Sequence, residues 1–224
     1  MFDVLRMRAA QVADVLRTDG VVFLCKQVAY LNRSAIVVEK ELAEIVDRPA
    51  PLEAANLMVV ELERNSVASG ALRFALTSRR LKAQHLIDHG YTGFGLVRGD
   101  TVVGDMWCCF SETESDPRRV HIDLRRFGFT EWDKSCVYTF DIFVAPAERK
   151  SGVAAAFQNA AMLKLRARGF QRGYGFYWAD NLQAHWCTRV MNKWSRIKIV
   201  KISRLLVLTV AYPSRRRPEF PRAA

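Results

Sequence analysis

The chain has 224 residues, half of them hydrophobic, and a formal net charge of +11 at pH 7. A chain of this length can bury one sizeable core, alone or with an appendage. It contains no apolar run near the roughly 18 residues that a membrane span needs, and residues 1–20 lack the apolar stretch and cleavage site of a signal peptide. The cysteines lack the spacing of a disulfide framework, which favours reduced thiols in a cytosolic protein; they are Cys25, Cys108, Cys109, Cys136 and Cys187.

Residues 1–51 are predicted to form an N-terminal appendage. Residues 2–19 carry an apolar stripe at helical spacing, with arginines on the other faces, and Gly20 ends the helix. A basic amphipathic helix of this kind either adsorbs to an anionic membrane surface or packs on its own domain. Residues 21–31 and 35–40 are predicted to be the two strands of a hairpin, followed by a proline-containing linker.

The middle of the chain predicts a strand, a helix and a hairpin. Residues 56–62 form the strand, residues 71–88 the helix, and two β-runs from 91 to 110 flank the turn Arg98-Gly99-Asp100. His85 and His89 are one helical turn apart, but no third ligand is spaced to join them, so no metal site is expected. Residues 111–134 are interpreted as an insertion that either walls a pocket or forms a surface loop; its candidate wall residues are His121, Asp123, Phe127, Phe129 and Trp132.

A strand, a tight turn and a helix follow between residues 137 and 169. Ala145-Pro146 ends the strand, helical periodicity starts near Gly152, and Gly169 ends the helix. The turn combines small residues with Arg149 and Lys150 at a helix N-terminus, where unpaired N–H groups can bind phosphate. The alternative is an ordinary strand-to-helix turn with solvated basic residues.

The rest of the chain predicts a strand at 173–178, a helix from Asn181 to about residue 191, and strands at 197–202 and 205–211. This order predicts an α+β fold, with helices on a mixed, mostly antiparallel sheet. Residues 52–212 would be the main domain and residues 213–224 a basic tail.

Two motifs resemble those of the GNAT superfamily of acyl-CoA-dependent N-acyltransferases. The pattern V-x-P-x-x-R-x-x-G-x-A, from Val144 to Ala154, resembles the family's acyl-CoA loop. Asn181-x-x-Ala184 resembles the start of the family's helix after its fifth strand. The resemblance covers roughly residues 52–210. It implies a GNAT-like fold, acetyl-CoA or a longer acyl-CoA as co-substrate, an amine acceptor and no permanently bound cofactor.

The resemblance also implies where acyl-CoA binds. In the family, the main-chain amides of a splayed strand bind the pantetheine arm and the thioester oxygen, and these fall here on Ile142, Phe143 and Val144. The implied CoA site is completed by Arg149, Lys150, Ser151, Gly152, Val153, Ala154, Ala155 and Asn181.

Four residues are candidates for proton transfer. Asp141 is ionisable within an apolar strand, so burial is expected to raise its pKa toward that of a general base. It would otherwise orient a neighbour or bind a substrate ammonium. Tyr138 falls where several family members carry a catalytic glutamate. Thr188 stands where the family has its tyrosine acid, and Cys187 beside it is an alternative acid with a reference pKa near 8.5; otherwise the thiolate takes its proton from water.

Simple strand alternation places Val137, Thr139, Asp141 and Phe143 on one face of the strand. After the later helix, Asn192 stands in place of the family's glycine and is expected to take over its left-handed cap.

Charge is concentrated at the C-terminus. Residues 196–224 carry eight basic side chains against one acid, a net charge of +7. Such a segment suits the phosphates of CoA, an anionic bilayer or nucleic acid, or it is simply a solvated tail. Nucleic acid is disfavoured because no recognition motif accompanies the charge.

The sequence therefore predicts an acyl-CoA-dependent N-acyltransferase, cytoplasmic or peripheral on the inner face of the membrane. Its two basic terminal segments resemble those of divergent GNAT members of bacterial envelope and lipid pathways, which implies a lipid or envelope amine as acceptor. Transfer of a long acyl chain to a sphingoid-type amine is the specific hypothesis. The alternatives are a soluble small-molecule or protein N-acetyltransferase and a non-catalytic CoA-binding relative.

Overall fold

The computed structural model describes residues 6, 9–10, 12–14, 30–110, 134–149, 152–205 and 208–213. Within these residues, nine strands form one sheet: β1 Tyr30–Glu41, β2 Met58–Leu62, β3 Arg73–Phe74, β4 Thr92–Arg98, β5 Thr101–Phe110, β6 Cys136–Val144, β7 Arg172–Trp178, β8 Ser195–Leu205 and β9 Leu208–Pro213. From residue 30 onward the described helices are α1 Ala50–Ala54, α2 Arg64–Ala68, α3 Thr77–Asp88, α4 Val153–Ala167 and α5 Leu182–His185, which continues as a wider π-helical turn, Trp186–Met191. Single 3-10 turns occupy Leu42–Glu44 and Pro146–Glu148.

The sheet runs in the order β2-β4-β5-β6-β7-β1-β8-β9, and β3 pairs with β5 beside this path. The β6–β7 and β3–β5 pairs are parallel, whereas the other neighbours are antiparallel. The predicted α+β fold with a mixed, mostly antiparallel sheet is therefore confirmed.

Helices cover both faces of the sheet. Because alternate residues of each strand point to opposite faces, one strand contributes side chains to two cores. Ile36 and Val38 of β1 belong to the core that α4 covers through Phe157. Ala35 and Val37 belong to the second core, where α3 contributes Ala83 and Leu86. The sheet is thus the middle of three layers.

The predicted N-terminal hairpin is wrong for residues 30–41. They form one continuous strand, β1, with no turn at Asn32-Arg33-Ser34. This strand lies inside the sheet, between β7 and β8, and its residues Ala35 to Val38 are buried. It is part of the main domain, because burial on both faces and pairing on both edges are features of a central strand.

Most of the other predicted elements are confirmed, with small shifts of their ends. The helix predicted for residues 71–88 starts at Thr77, because Arg73–Phe74 form a short strand first. Residues 21–29, 111–133 and 214–224 lie outside the described part of the chain, as do the insertion and basic-tail predictions made for them.

One described residue of the N-terminal helical segment, Asp14, contacts the domain. Residues 6, 9–10 and 12–14 are helical. Asp14 Oδ2 accepts a hydrogen bond from the backbone N–H of Ser78 in the first turn of α3, at 3.2 Å. This contact ties the segment to α3 at one point, whereas Ala9 and Val12 of the predicted apolar stripe are exposed. Among the described residues, no helix is both long and apolar enough to cross a membrane.

Candidate functional site

The site lies where β6 and β7 diverge. Their parallel pairing runs from Cys136–Arg172 to Tyr138–Tyr174. Beyond it, Thr139 Oγ1 still donates to the carbonyl of Tyr174 at 3.1 Å. After that point β6 continues along β5 and β7 continues along β1, so an opening forms between them.

Two adjoining cavities occupy this opening. We call the larger one, of about 690 Å³, the helix cavity, because its lining includes the start of α4 and the whole of α5. The smaller one, of about 400 Å³, is the aromatic cavity, because five of its lining residues are Phe140, Phe176, Tyr177, Trp178 and Trp194. The cavities communicate, since both are lined by Ile142, Asn181, Ala184 and Thr188.

The helix cavity ends at the N-terminus of α4. Gly152 precedes the helix with φ of 83°, a left-handed conformation that favours glycine. The first backbone bond of the helix runs from Ala156 N to Gly152 O at 3.0 Å. The N–H groups of residues 153–155 therefore lie ahead of the helical ladder, and the first turn carries no acidic residue. This geometry suits a phosphate.

The sequence-predicted residues of this turn are only partly described. Arg149, Gly152, Val153, Ala154 and Ala155 all line the helix cavity. Lys150 and Ser151 lie outside the described residues.

The exposed edge of β6 also faces the helix cavity. Ala145 N donates to Val103 O on β5 at 2.8 Å, so the N–H and C=O of Val144 point to the opposite edge. On that edge Arg149 Nε donates to Val144 O at 2.8 Å. Ile142, Phe143 and Val144 all line the cavity, but the same alternation directs the Phe143 amide toward β5. Of the adjacent pair Phe143 and Val144, it is therefore Val144 whose N–H faces the site.

A β-bulge at Asp141 changes which side chains share a face. Pairing with β5 passes from Trp107–Phe140 to Asp105–Phe143, and Asp141 has a left-handed φ of 52°. As a result Val144, and not Phe143 as simple alternation predicted, joins Val137 in the core under α4.

Asp141 is held as a carboxylate by two cations. Its Oδ2 lies 2.9 Å from Arg79 Nη2 and 2.6 Å from Lys82 Nζ, both on α3. Arg79 also forms a buried ion pair with Asp105, which accepts from Trp107 Nε1 at 2.8 Å. Burial alone would raise the pKa of Asp141, but the charges of Arg79 and Lys82 hold it well below its ordinary value. The expectation of a raised pKa is therefore wrong, and neither base work nor binding of an ammonium fits a carboxylate already neutralised.

The other three catalytic candidates are placed less favourably than expected. Tyr138 is fully buried and lines neither cavity. Cys187 lines the helix cavity, but burial raises the pKa of its thiol to about 12, so it is a weaker acid than its reference value implied. Thr188 lines both cavities with a hydroxyl that is a very poor acid.

Asn181 caps α5, since its Oδ1 accepts from Ala184 N at 3.0 Å, and it lines both cavities. The left-handed residue after the helix is Lys193, with φ of 56°, and not Asn192 as expected. Asn192 is buried instead, and its Nδ2 donates to Ala155 O and to Gln158 Oε1.

Sequence reasoning missed four polar residues of the site. Arg79 and Lys82 come from α3, far from either motif. Tyr177 and His185 flank the Asn-x-x-Ala start, and Tyr177 Oη lies 2.9 Å from His185 Nδ1. The one available signal was the position of His185, a titratable residue four places after Asn181. Within the described ranges, no group of three or more His, Cys, Asp or Glu residues is arranged to hold a metal ion.

No protein-family model matches the chain, and no curated protein matches its sequence. Solved structures match its fold. The glucosamine N-acetyltransferase region of a fungal multidomain GH3 β-N-acetylglucosaminidase superposes with a TM-score of 0.57 and 13% identity, over 84% of this chain and 22% of that one. A GNAT-family protein from Novosphingobium aromaticivorans gives 0.45 and 12%, over 83% and 68%. A GCN5-related N-acetyltransferase from Sphaerobacter thermophilus gives 0.43 and 11%, over 85% and 57%.

The chain spans between 22% and 63% of the length of three matching structures. The comparison rests on the superposition with the fungal N-acetyltransferase region, which shows that this chain has the GNAT fold. At 13% identity the likeness extends to the fold alone.

Proposed function

We propose that this chain, a protein of GNAT fold, is an acyl-CoA-dependent N-acyltransferase. The observation that carries the proposal is the pair of communicating cavities between β6 and β7, one ending at the N-terminus of α4 and the other walled by aromatic rings. CoA would lie in the helix cavity with its phosphates on the amides of residues 153–155. The amine would reach the thioester from the aromatic cavity.

The chemistry is direct attack of a neutral amine on the thioester carbonyl. The oxyanion that forms needs a preorganised donor, and the Val144 N–H on the free edge of β6 supplies one. Bound in adjoining cavities, the two reactants meet in a fixed orientation, which removes much of the entropic part of the barrier.

The lining of the aromatic cavity supports an amine carried on an apolar body. The ionisable groups that line it include Lys82 and Asp141, which form an ion pair and so offset each other's charge. The described lining of the cavity therefore lacks the excess negative charge that would favour a polycationic amine as acceptor. A lipid or envelope amine meets this description, and a sphingoid-type amine acylated from long-chain acyl-CoA is the specific case we propose. A soluble acceptor is the alternative.

Adsorption to an anionic membrane surface is part of the same proposal. It is supported by the +7 charge of residues 196–224, because each basic residue near such a surface contributes about 1 kcal/mol. The binding would be reversible and weakened by salt. Sedimentation with anionic liposomes at low and high salt tests it, and absence of binding at low salt would refute it.

The decisive experiment for CoA is a thermal shift titration of Gly152→Glu. A glutamate there fills the space next to the amides and adds negative charge, so the stabilisation by CoA should disappear. Gly169→Glu is the matched control: it lies at the other end of α4, has a left-handed φ of 94°, and has no atom within 4 Å of an added Cβ. It carries the same strain and charge and should leave CoA binding intact. If Gly152→Glu binds CoA like the wild type, the site is elsewhere.

Turnover is measured as thiol release from acetyl- and long-chain acyl-CoA with a panel of amines that includes sphingoid bases, small alkylamines and glucosamine, the amino sugar of the fungal relative. Release that depends on an amine supports an acyltransferase. CoA binding without turnover of any amine would support a non-catalytic CoA-binding protein instead. A strict preference for acetyl-CoA and a small soluble amine would refute the lipid acceptor.

A further inference from the structure

A hydrogen-bonded tyrosine and histidine join the two cavities. Tyr177, on β7, lines the aromatic cavity, and His185, at the end of α5, lines the helix cavity. Their Oη and Nδ1 atoms are 2.9 Å apart, and the rings meet edge to face with centroids 5.7 Å apart. One end of the pair therefore faces the proposed amine site, and the other end faces the proposed CoA site.

The environment keeps both side chains neutral near pH 7. Burial raises the pKa of Tyr177, which outweighs the opposite effect of Arg189 and Arg196. Burial and the charge of Arg189 lower the pKa of His185. A neutral phenol donates to the unprotonated Nδ1 of a neutral imidazole, so the proton of His185 is on Nε2. The bond then has a definite direction, from the aromatic cavity toward the helix cavity.

We propose that Tyr177 and His185 form a proton relay that carries the amine proton to the departing thiolate; the inference rests on the proposed acyltransferase function. As the tetrahedral intermediate forms, its nitrogen gives a proton to Tyr177 Oη while the phenol proton passes to His185 Nδ1. The imidazolium then gives its Nε2 proton to the CoA sulfur as the C–S bond breaks. Amide and free thiol are the products. His185 is left as the neutral tautomer protonated on Nδ1, and proton exchange with solvent restores the tautomer protonated on Nε2.

The relay performs the work for which the sequence candidates are unsuited. Asp141 is neutralised by Arg79 and Lys82, and the Cys187 thiol is a weak acid. Tyr138 lines neither cavity. The Tyr177–His185 pair supplies a base on the amine side and an acid on the thiolate side through one hydrogen bond.

The test compares Tyr177→Phe and His185→Asn. Phenylalanine keeps the ring but removes the hydroxyl, and asparagine keeps an acceptor near the Nδ1 position but cannot carry the proton. Each should lower kcat by roughly 10²-fold or more, in the range of general acid–base catalysis, without weakening the thermal shift by CoA. Tyr174→Phe, on the same strand but lining neither cavity, and His89→Asn are the matched controls, expected within about twofold of wild type.

The double variant Tyr177→Phe/His185→Asn separates a relay from two independent contributions. Groups that act as one unit are not additive, so the double variant should be about as slow as the slower single variant. Multiplicative losses, or single variants with near-normal kcat, would overturn the relay while leaving the acyltransferase proposal in place. If His185→Asn is unfolded, as judged by circular dichroism, His185→Gln replaces it with the same expected loss. A wild-type protein that turns over no amine would refute the proposed function and the relay together.

Discussion

Asp141 adopts a left-handed backbone conformation that aspartate and asparagine tolerate better than most residues. The bulge at this position brings its carboxylate to two cations of α3. The residue therefore links β6, which borders both cavities, to α3, which lies on the face of the sheet opposite α4. We interpret it as a structural residue of the site.

Asp141→Asn should lower the free energy of unfolding and leave turnover per folded molecule largely unchanged. The amide keeps the shape and the left-handed conformation but leaves Lys82 and part of Arg79 uncompensated. We expect unfolding free energy to fall by about 1–3 kcal/mol at pH 7, less than for a fully buried pair because the side chain is 28% exposed. Urea denaturation measures the change.

The contribution of the Asp141 carboxylate to folding stability depends on pH in a definite direction. Because the pKa of Asp141 is lower in the folded state, its contribution is complete above the ordinary carboxylate pKa near 3.9 and is lost as the pH falls below it. The difference between wild type and Asp141→Asn should therefore shrink toward pH 3. A drop of 10² or more in turnover per folded molecule would contradict this interpretation and restore Asp141 as the base.

At the scale of elements, the close approach of β5 and β6 positions the free edge that faces the helix cavity. An added Cβ at Gly104 would lie 2.8 Å from the carbonyl oxygen of Phe143. Gly104→Ala should therefore push β6 outward, lower stability by roughly 1–3 kcal/mol and weaken CoA binding. Thermal unfolding with and without CoA measures both effects.

Gly95→Ala is the matched control on β4. Its added Cβ would meet the Leu62 side chain at 2.7 Å, which can move, whereas the obstacle at Gly104 is backbone. We expect a loss below about 1 kcal/mol and unchanged CoA binding. Equal effects of the two alanines would show that the contact with Phe143 does not position β6.

Elements with strong local signals were predictable from the sequence. The β4–β5 hairpin follows from Gly99-Asp100 between two β-runs, and α4 follows from its apolar period and Gly169. The bulge at Asp141 was not predictable, because the run from Val137 to Val144 reads as an uninterrupted strand. The partners of Asp141 were also out of reach, since no local pattern tells which helix faces a given strand.

For the whole molecule, the position of β1 is the feature that local sequence did not reveal. Its pattern identifies a strand, but the choice of β7 and β8 as partners is decided by contacts with residues far along the chain. Residues 1–51 were therefore interpreted as an appendage although they contain a central strand of the domain.

Residues 50–224 should accordingly fail to fold alone. Loss of β1 would expose the edges of β7 and β8 and the two cores that Ala35 to Val38 fill. We expect circular dichroism of this fragment to show no cooperative thermal unfolding. Co-expression with residues 1–49 should restore a folded complex. A stable, CoA-binding 50–224 fragment would contradict the central role of β1.

The same strand sets the order of events during synthesis. Glu41 of β1 leaves the ribosome well before its partner Arg172 of β7, which is 131 residues later in the chain, and β8 is synthesised later still. At about 5–20 residues per second, the ribosome needs roughly 7–25 s to supply that first partner. For this period an apolar segment with two unpaired edges is available to other nascent chains. Slow translation of the middle of the message should therefore increase aggregation or chaperone dependence. A circular permutant that starts at β7, with residue 1 following residue 224, would bring β1 closer in the chain to both of its partners and shorten this interval.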